Sequence, residues 1–203
     1  MSPDGIGVAV MAKAPIPGRA KTRLIPEIGA HAAAVLAQRL TERAVATAVA
    51  AEVGPVSLWC TPDPAHPAFQ ALAQQHPVTL WAQPDGDLGA RMLACTVRGP
   101  TLVIGSDCPA LTPAHLLDAA HALGDAHVVL IPAEDGGYVL IGTNNVQPGL
   151  FDGMTWGTAT VLAETRRRIA TIGLRAVELP PLWDVDTESD LARLERELPD
   201  LTL

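Results

Sequence analysis

Aromatic residues are scarce: one Tyr, two Phe and four Trp make up 3% of 203 residues. The core must therefore be built mainly from Ala, Val, Leu and Ile. Lysine is scarcer still. Only Lys13 and Lys21 occur, and every other basic residue apart from histidine is arginine. Asp and Glu number 22 against 14 Lys and Arg, for a formal charge of -8. Net negative charge attracts neither nucleic acid nor an anionic bilayer, so a general binder of either is excluded. The three cysteines (Cys60, Cys95, Cys108) are odd in number, far apart and without a CxxC pair. They indicate neither a disulfide framework nor a cysteine zinc site. No apolar run is long enough to span a bilayer. Residues 6–12 form a short apolar run preceded by Asp4, with no basic segment, and do not read as a secretory leader. The expectation is a soluble, cytoplasmic protein whose residues 1–203 form one domain.

Strand-like and helix-like segments alternate along the chain. Strands are expected at Gly7–Ala12, Val56–Cys60, Val78–Trp81, Thr101–Ile104, His127–Pro132, Tyr138–Gly142 and Leu174–Glu178. Helices are expected at Ala32–Ala51, Ala65–Gln75, Leu88–Val97, from Pro113 behind a Thr112 cap, and at Thr160–Ile172. A Thr187–Asp190 capping box opens a last helix that runs to about Leu198. Such alternation predicts a mostly parallel central sheet with helices on both faces.

In an open α/β sheet, ligands gather at the carboxyl ends of strands. Four unusual segments fall there. The first is MAKAPIPGRAKTRL, residues 11–24, which holds Lys13, Arg19, Lys21, Arg23 and no acid. It matches neither the P-loop nor the GxGxxG pattern, but its cations suit phosphate oxygens. The alternative is a solvated basic loop. The second is GSDCP, with Asp107 just past the strand TLVI. A carboxylate there can hold a hard cation, or simply cap a turn. Cys108 reads as a packed residue, since no base is evident beside it. The third is LWDVDTESDL, where Asp184 and Asp186 share a face in extended chain and either can complete a metal site with Asp107. The fourth comprises QPDGDLGARM, EDGGYVLIG and TWGTATVL, which set glycines beside polar residues. Close approach of backbone to a ligand, or plain turn chemistry, accounts for them; for EDGG a hairpin turn serves equally well. The six histidines form no HExxH pair, GxSxG is absent, and His115 and His121 are expected on a helix surface.

Taken together, MAKAPIPGRAKTRL, GDLGARM, GSDCPALT, DGGYVLIG, FDGMTWGT and WDVDTESDL resemble, in that order, the selenodomain-associated transferase 1 or arsenosugar-biosynthesis-type glycosyltransferases. That family belongs with the nucleotide-diphospho-sugar transferases, and the opening motif is also similar to that of 2-phospho-lactate guanylyltransferase. The resemblance spans nearly the whole chain. It implies a single-domain, Rossmann-like GT-A fold and a nucleotide or nucleotide-sugar bound by Lys13, Gly18, Lys21, Arg23, Asp87, Gly89 and Arg91. It implies Mg²⁺ or Mn²⁺ on Asp107 and Asp186, with Asp186 the better candidate than Asp184. The acceptor, a small molecule, falls beside Asp135, Gly136, Gly137, Tyr138 and Trp156. Asp107 stands in SDCP and not in a full DxD pair, so the number of metals does not follow. Lys21, Arg23 and Asp107 are then the catalytic candidates, the cations stabilising charge on a departing phosphate. Three functions compete: a glycosyltransferase, a nucleotidyltransferase that releases pyrophosphate, and a non-catalytic nucleotide-binding domain. The last needs no pair of metal carboxylates.

Overall fold

The computed structural model describes residues 5–202. The apolar runs fold as strands β1 (Gly7–Lys13), β2 (Val56–Thr61), β3 (Val78–Ala82), β4 (Thr101–Ile104), β5 (Val128–Pro132), β6 (Tyr138–Thr143) and β7 (Ala176–Glu178). They form one seven-stranded sheet in the order β3-β2-β1-β4-β6-β5-β7. Both pairings of β6 are antiparallel and the rest are parallel. The reversal has a local cause. Only residues 133–137 separate β5 from β6, too short a link for a crossover, so EDGG closes a hairpin.

Side chains alternate across the sheet, and each set meets its own helices. Val8, Val10, Leu58, Leu102, Ile104 and Leu140 pack beneath α1 (Ile25–Ala50), α2 (Pro67–Gln75) and α4 (Pro113–Asp125). Ala9, Trp59, Val103, Leu130 and Ile141 pack beneath α3 (Leu88–Cys95), α5 (Pro148–Phe151) and α6 (Val161–Ile172). A third cluster joins Leu36 and Leu40 of α1 to Leu194 of α7 (Glu188–Glu197), with Trp183 and Val185 between them. The core is aliphatic, as the shortage of aromatics requires. Among the described residues no helix is long and apolar enough to cross a membrane.

Several element ends differ from expectation. Helix α1 begins at Ile25, not Ala32, because Pro26 suits a first turn and the chain then kinks at Gly29 (φ 78°, ψ 160°). The kink breaks the apolar period on which the expectation rested. Strand β7 starts at Ala176, not Leu174, and α2 starts at Pro67 with His66 as its cap. Helix α5 has four residues, too few to leave a periodic signal. His115 is half-buried and shares a capping box with Thr112.

Candidate active site

The carboxyl ends of β1, β4 and β5 and the start of β6 lie along one edge of the sheet. Beyond β4 the chain runs Gly105-Ser106-Asp107. A Cβ at Gly105 would stand 2.6 Å from the Asp107 Oδ1, so only glycine leaves that carboxylate its position. Across the edge lies Trp183-Asp184-Val185-Asp186. Trp183 and Val185 are buried in the third cluster, and alternation turns Asp184 and Asp186 the other way, to the wall of a cavity. The Val185 N–H donates to the Asp107 carbonyl at 3.0 Å, which ties the two acidic segments together. Asp190 completes the support. Its carboxylate accepts from the backbone N–H of Asp186 (3.0 Å) and of Thr187 (2.7 Å). Asp190→Ala should therefore lower stability by about 1 kcal/mol, the usual loss for a helix cap. Urea unfolding would measure it; an unchanged midpoint would mean that the cap carries no load.

The basic loop closes over these acids. Lys21 adopts a left-handed conformation (φ 44°, ψ 48°) just before a short turn of 3-10 helix at Thr22–Leu24. Its ammonium donates to Asp186 Oδ1 at 2.9 Å and to Asp107 Oδ2 at 3.4 Å. Arg23 Nη1 donates to Asp186 Oδ2 at 3.3 Å. Burial works against the charge on Lys21, but Asp107, then Asp186, then Asp184 outweigh it, and its pKa stands above the ordinary value. Asp184 shows the reverse. Burial, followed by the like charges of Asp107, Asp135 and Asp186, pushes its carboxyl up to about 7.

Two cavities share this wall. The smaller, about 250 Å³, is lined by all four loop cations, Lys13, Arg19, Lys21 and Arg23, together with Ser106, Asp107 and Asp186. The larger, about 450 Å³, shares Lys13, Arg23, Ser106, Asp107 and Asp186 and is lined also by Gln83, Arg91, Asp135, Gly137, Tyr138 and Trp156. Among the described residues, Lys13 and Arg19 have no acidic partner, so both keep their charge for a ligand. Burial pushes the Cys108 thiol up to about 12 and the Tyr138 hydroxyl well above its usual range, which removes both as nucleophiles near neutral pH.

Other expected site residues do backbone work. Gly18 takes φ 79° in the loop, and Asp87 caps α3 by accepting from the Ala90 N–H at 2.8 Å. Gly89 and Gly136 allow close packing: a Cβ at Gly89 would meet Trp156, and one at Gly136 the Ala159 carbonyl. None of these four lines either cavity. Ser106 and Gln83 do, and the sequence reading singled out neither. Ser106 carried a signal, lying between Gly105 and Asp107. Gln83 carried none.

Asp107 and Asp186 converge on one ammonium, so the pair has the geometry to share a cation. Among the described residues, no three His, Cys, Asp or Glu side chains close into a metal cage. The fit is thus to an ion that takes two carboxylates and completes its shell with ligand phosphates and water, as Mg²⁺ does.

Residues 44–158, over half the chain, match the family described as "Uncharacterized protein conserved in bacteria (DUF2064)". The chain belongs to this family. No curated protein matches it significantly. Among solved structures it is similar to a candidate nucleotide-diphospho-sugar transferase from Desulfovibrio desulfuricans G20, at 28% identity and TM-score 0.83, over 95% of this chain and 88% of that one. It is similar in fold to CMP:2-keto-3-deoxy-manno-octonic acid synthetase complexed with CTP, at 13% identity and TM-score 0.60, over 96% and 99% of the two chains. A further likeness in fold is to Rv0371C in complex with manganese from Mycobacterium tuberculosis H37Rv, at 16% identity and TM-score 0.55, over 96% and 100%. The expected α/β fold, of the Rossmann-like GT-A type, therefore stands.

Proposed function

We propose that this protein is a nucleotide-dependent transferase that moves a sugar from a nucleotide-diphospho-sugar to a small acceptor. The observation that carries the reading is the shared wall of cations and carboxylates between the two cavities. The motif resemblance and the named activity of the Desulfovibrio relative support the sugar donor. Residues 1–203 then act as one transferase domain.

Lys13, Arg19, Lys21 and Arg23 bind the phosphate oxygens, and Lys21 and Arg23 stabilise the charge that grows on the diphosphate as the bond from the sugar anomeric carbon to oxygen breaks. Mg²⁺ or Mn²⁺ on Asp107 and Asp186 would supply Lewis-acid neutralisation of those phosphates. Asp135, Gly137, Tyr138 and Trp156 border the side of the larger cavity where the acceptor binds, and Gly136 seats the backbone of that wall. Gly105 keeps Asp107 in place. Gly105→Ala should therefore cost on the order of tenfold to a hundredfold in turnover, the scale for a small misplacement of a reacting group. Steady-state kinetics beside a melting curve would check it; full activity would remove the positioning role.

One observation favours a second reading, nucleotidyl transfer. Four cations around a separate small cavity suit a pyrophosphate leaving group, released when an acceptor oxygen attacks the α-phosphate of a nucleoside triphosphate. Product analysis separates the two. The protein is incubated with Mg²⁺ or Mn²⁺ and either nucleotide-diphospho-sugars with acceptors or nucleoside triphosphates with sugar phosphates. Release of nucleoside diphosphate supports glycosyl transfer, and release of pyrophosphate supports nucleotidyl transfer. If no nucleotide raises the melting temperature, both readings fall, since a ligand at a hundred times its dissociation constant adds about 2.7 kcal/mol.

A further inference from the structure

A third cavity, about 610 Å³, lies at the opposite edge of the sheet from the candidate active site and shares no lining residue with the other two. It opens where the sheet face that carries α3 holds only small residues. Gly7 pairs with Thr101, and Ser57 with Thr79, across the amino-terminal parts of four strands. Helix α3 ends at Cys95, on the rim of this hollow. One wall is aromatic. Trp59 and Trp81 are register partners, and their rings stack at 6.0 Å with 25° between the planes. The polar atoms of that wall are already engaged. Trp59 Nε1 donates to Ser57 Oγ at 3.1 Å, and Ser57 Oγ to the Val8 carbonyl at 3.4 Å. Thr101 Oγ1 donates to the Gly99 carbonyl at 2.9 Å. Arg98 is the exception. Its guanidinium carbon stands 4.2 Å from the centre of the Trp81 ring, and among the described residues it has no acidic partner. A guanidinium that lies over a ring keeps its in-plane N–H groups free for a carboxylate.

We infer that this cavity binds a small planar aromatic molecule that carries one carboxylate. The site is independent of the transferase reading. Pockets for small ligands span about 300–1,000 Å³ and combine an apolar lining with a few placed polar groups. Here the apolar part is an aromatic stack, which favours a ring offset against it over an aliphatic body. The polar part is one unpaired guanidinium, which matches a carboxylate by two parallel N–H contacts. In a chain of formal charge -8, a single cation suits a monoanion better than a phosphate dianion, whose second charge goes unmatched. A second copy of the chain fits less well. A contact centred on the hollow is self-complementary and sets Arg98 against its own like charge. Glycine at position 7 keeps the space open. A Cβ there would have Thr101 Oγ1 as its nearest neighbour at 3.6 Å, an ordinary contact, so the backbone does not demand glycine.

The test is a titration with 2-naphthoate, 2-naphthamide and cyclohexanecarboxylate, followed by nuclear magnetic resonance at the four tryptophan indole N–H signals. Single replacements by phenylalanine assign those signals. 2-Naphthoate should shift Trp59 and Trp81 and leave Trp183, and Trp156 of the larger cavity, unmoved. The neutral 2-naphthamide should bind about tenfold more weakly, because it lacks the charged contact. Cyclohexanecarboxylate should bind several-fold more weakly, because it lacks the ring. Arg98→Met should weaken 2-naphthoate to the level of the amide and leave the melting temperature unchanged, since that side chain is exposed. Gly7→Val should fill the hollow and remove binding of all three, with a melting curve to show that the fold persists. 2-Naphthoate that moves only Trp156, or none of the four, overturns the inference. Equal binding of 2-naphthoate and either comparison compound overturns it, as does binding that survives Arg98→Met. A wild-type dimer in sedimentation that Arg98→Met or Gly7→Val dissolves also overturns it, since a second copy then covers the hollow.

Discussion

Asp107→Asn is expected to lower metal-dependent turnover on the order of a hundredfold or more, the scale for loss of one electrostatic contact to the reacting centre, and to leave the fold intact. The side chain of Asp107 is 40% exposed, so the amide meets no new packing conflict. What changes is charge. Asp107 is one of two carboxylates that face the Lys21 ammonium, and the pair is the fitted seat for a divalent ion. With Asn, one carboxylate remains and a hard cation loses half of its protein ligands. Asp186→Asn should weaken Mn²⁺ binding for the same reason. Asp184→Asn should weaken it less, because Asp184 touches neither Lys21 nor Arg23 among the described contacts. Mn²⁺ titration by electron paramagnetic resonance, run beside turnover, separates the three. Full metal-dependent activity in Asp107→Asn would end its role; equal and purely thermal effects of the other two would remove Asp186 from the site.

The parts of this site legible in the sequence are those with a local cause. TLVI followed by Gly-Ser-Asp announces a strand end with a carboxylate, and Trp-Asp-Val-Asp announces two acids on one face because strand alternation is a two-residue rule. EDGG between two apolar runs leaves room for little but a turn. The pairing of Lys21 with Asp107 and Asp186 is a different matter. Those partners lie 86 and 165 residues away, and no local period encodes them. The residues left Asp184 and Asp186 as equal partners for Asp107, the ordered resemblance favoured Asp186, and neither set the Lys21 ammonium between the two carboxylates. Gln83 was illegible for the same reason. Its meaning lies in the carbonyls of Ala12 and Trp59, 71 and 24 residues distant, which become neighbours only when β1, β2 and β3 pair. Helix α1 shows the opposite failure. Gly29 kinks the chain, so the short turn at Ile25–Ile28 lies off the apolar period of the long segment that follows and left no signal of its own.

Lys21→Met should change two affinities in opposite directions. Lys21 is almost wholly enclosed, with a 12% exposed side chain, and its ammonium stands where the Asp107 and Asp186 carboxylates converge. A divalent ion on the same carboxylates must therefore compete with it. Removing the ammonium while keeping an unbranched side chain frees that seat, so Mn²⁺ should bind the nucleotide-free variant more tightly than it binds the wild type. Polyphosphates should bind the variant less well. Loss of one charged hydrogen-bond donor costs about 1.5–3 kcal/mol, and di- and triphosphates should suffer more than monophosphates, which reach fewer cations. Arg23→Ala should show the smaller loss, because its side chain is 65% exposed and water screens the contact. In the wild type the two ligands then help one another: phosphate oxygens draw Lys21 off the carboxylates, and the ion takes the place it leaves. Calorimetry of Mn²⁺ with and without nucleoside diphosphate, on both proteins, measures this directly. The diphosphate should tighten Mn²⁺ binding to the wild type by a larger factor than to Lys21→Met. An equal factor in both would mean that Lys21 does not exchange between the acids and the phosphates. Weaker Mn²⁺ binding by the nucleotide-free variant would mean that the lysine supports the carboxylate pair and does not compete with the ion.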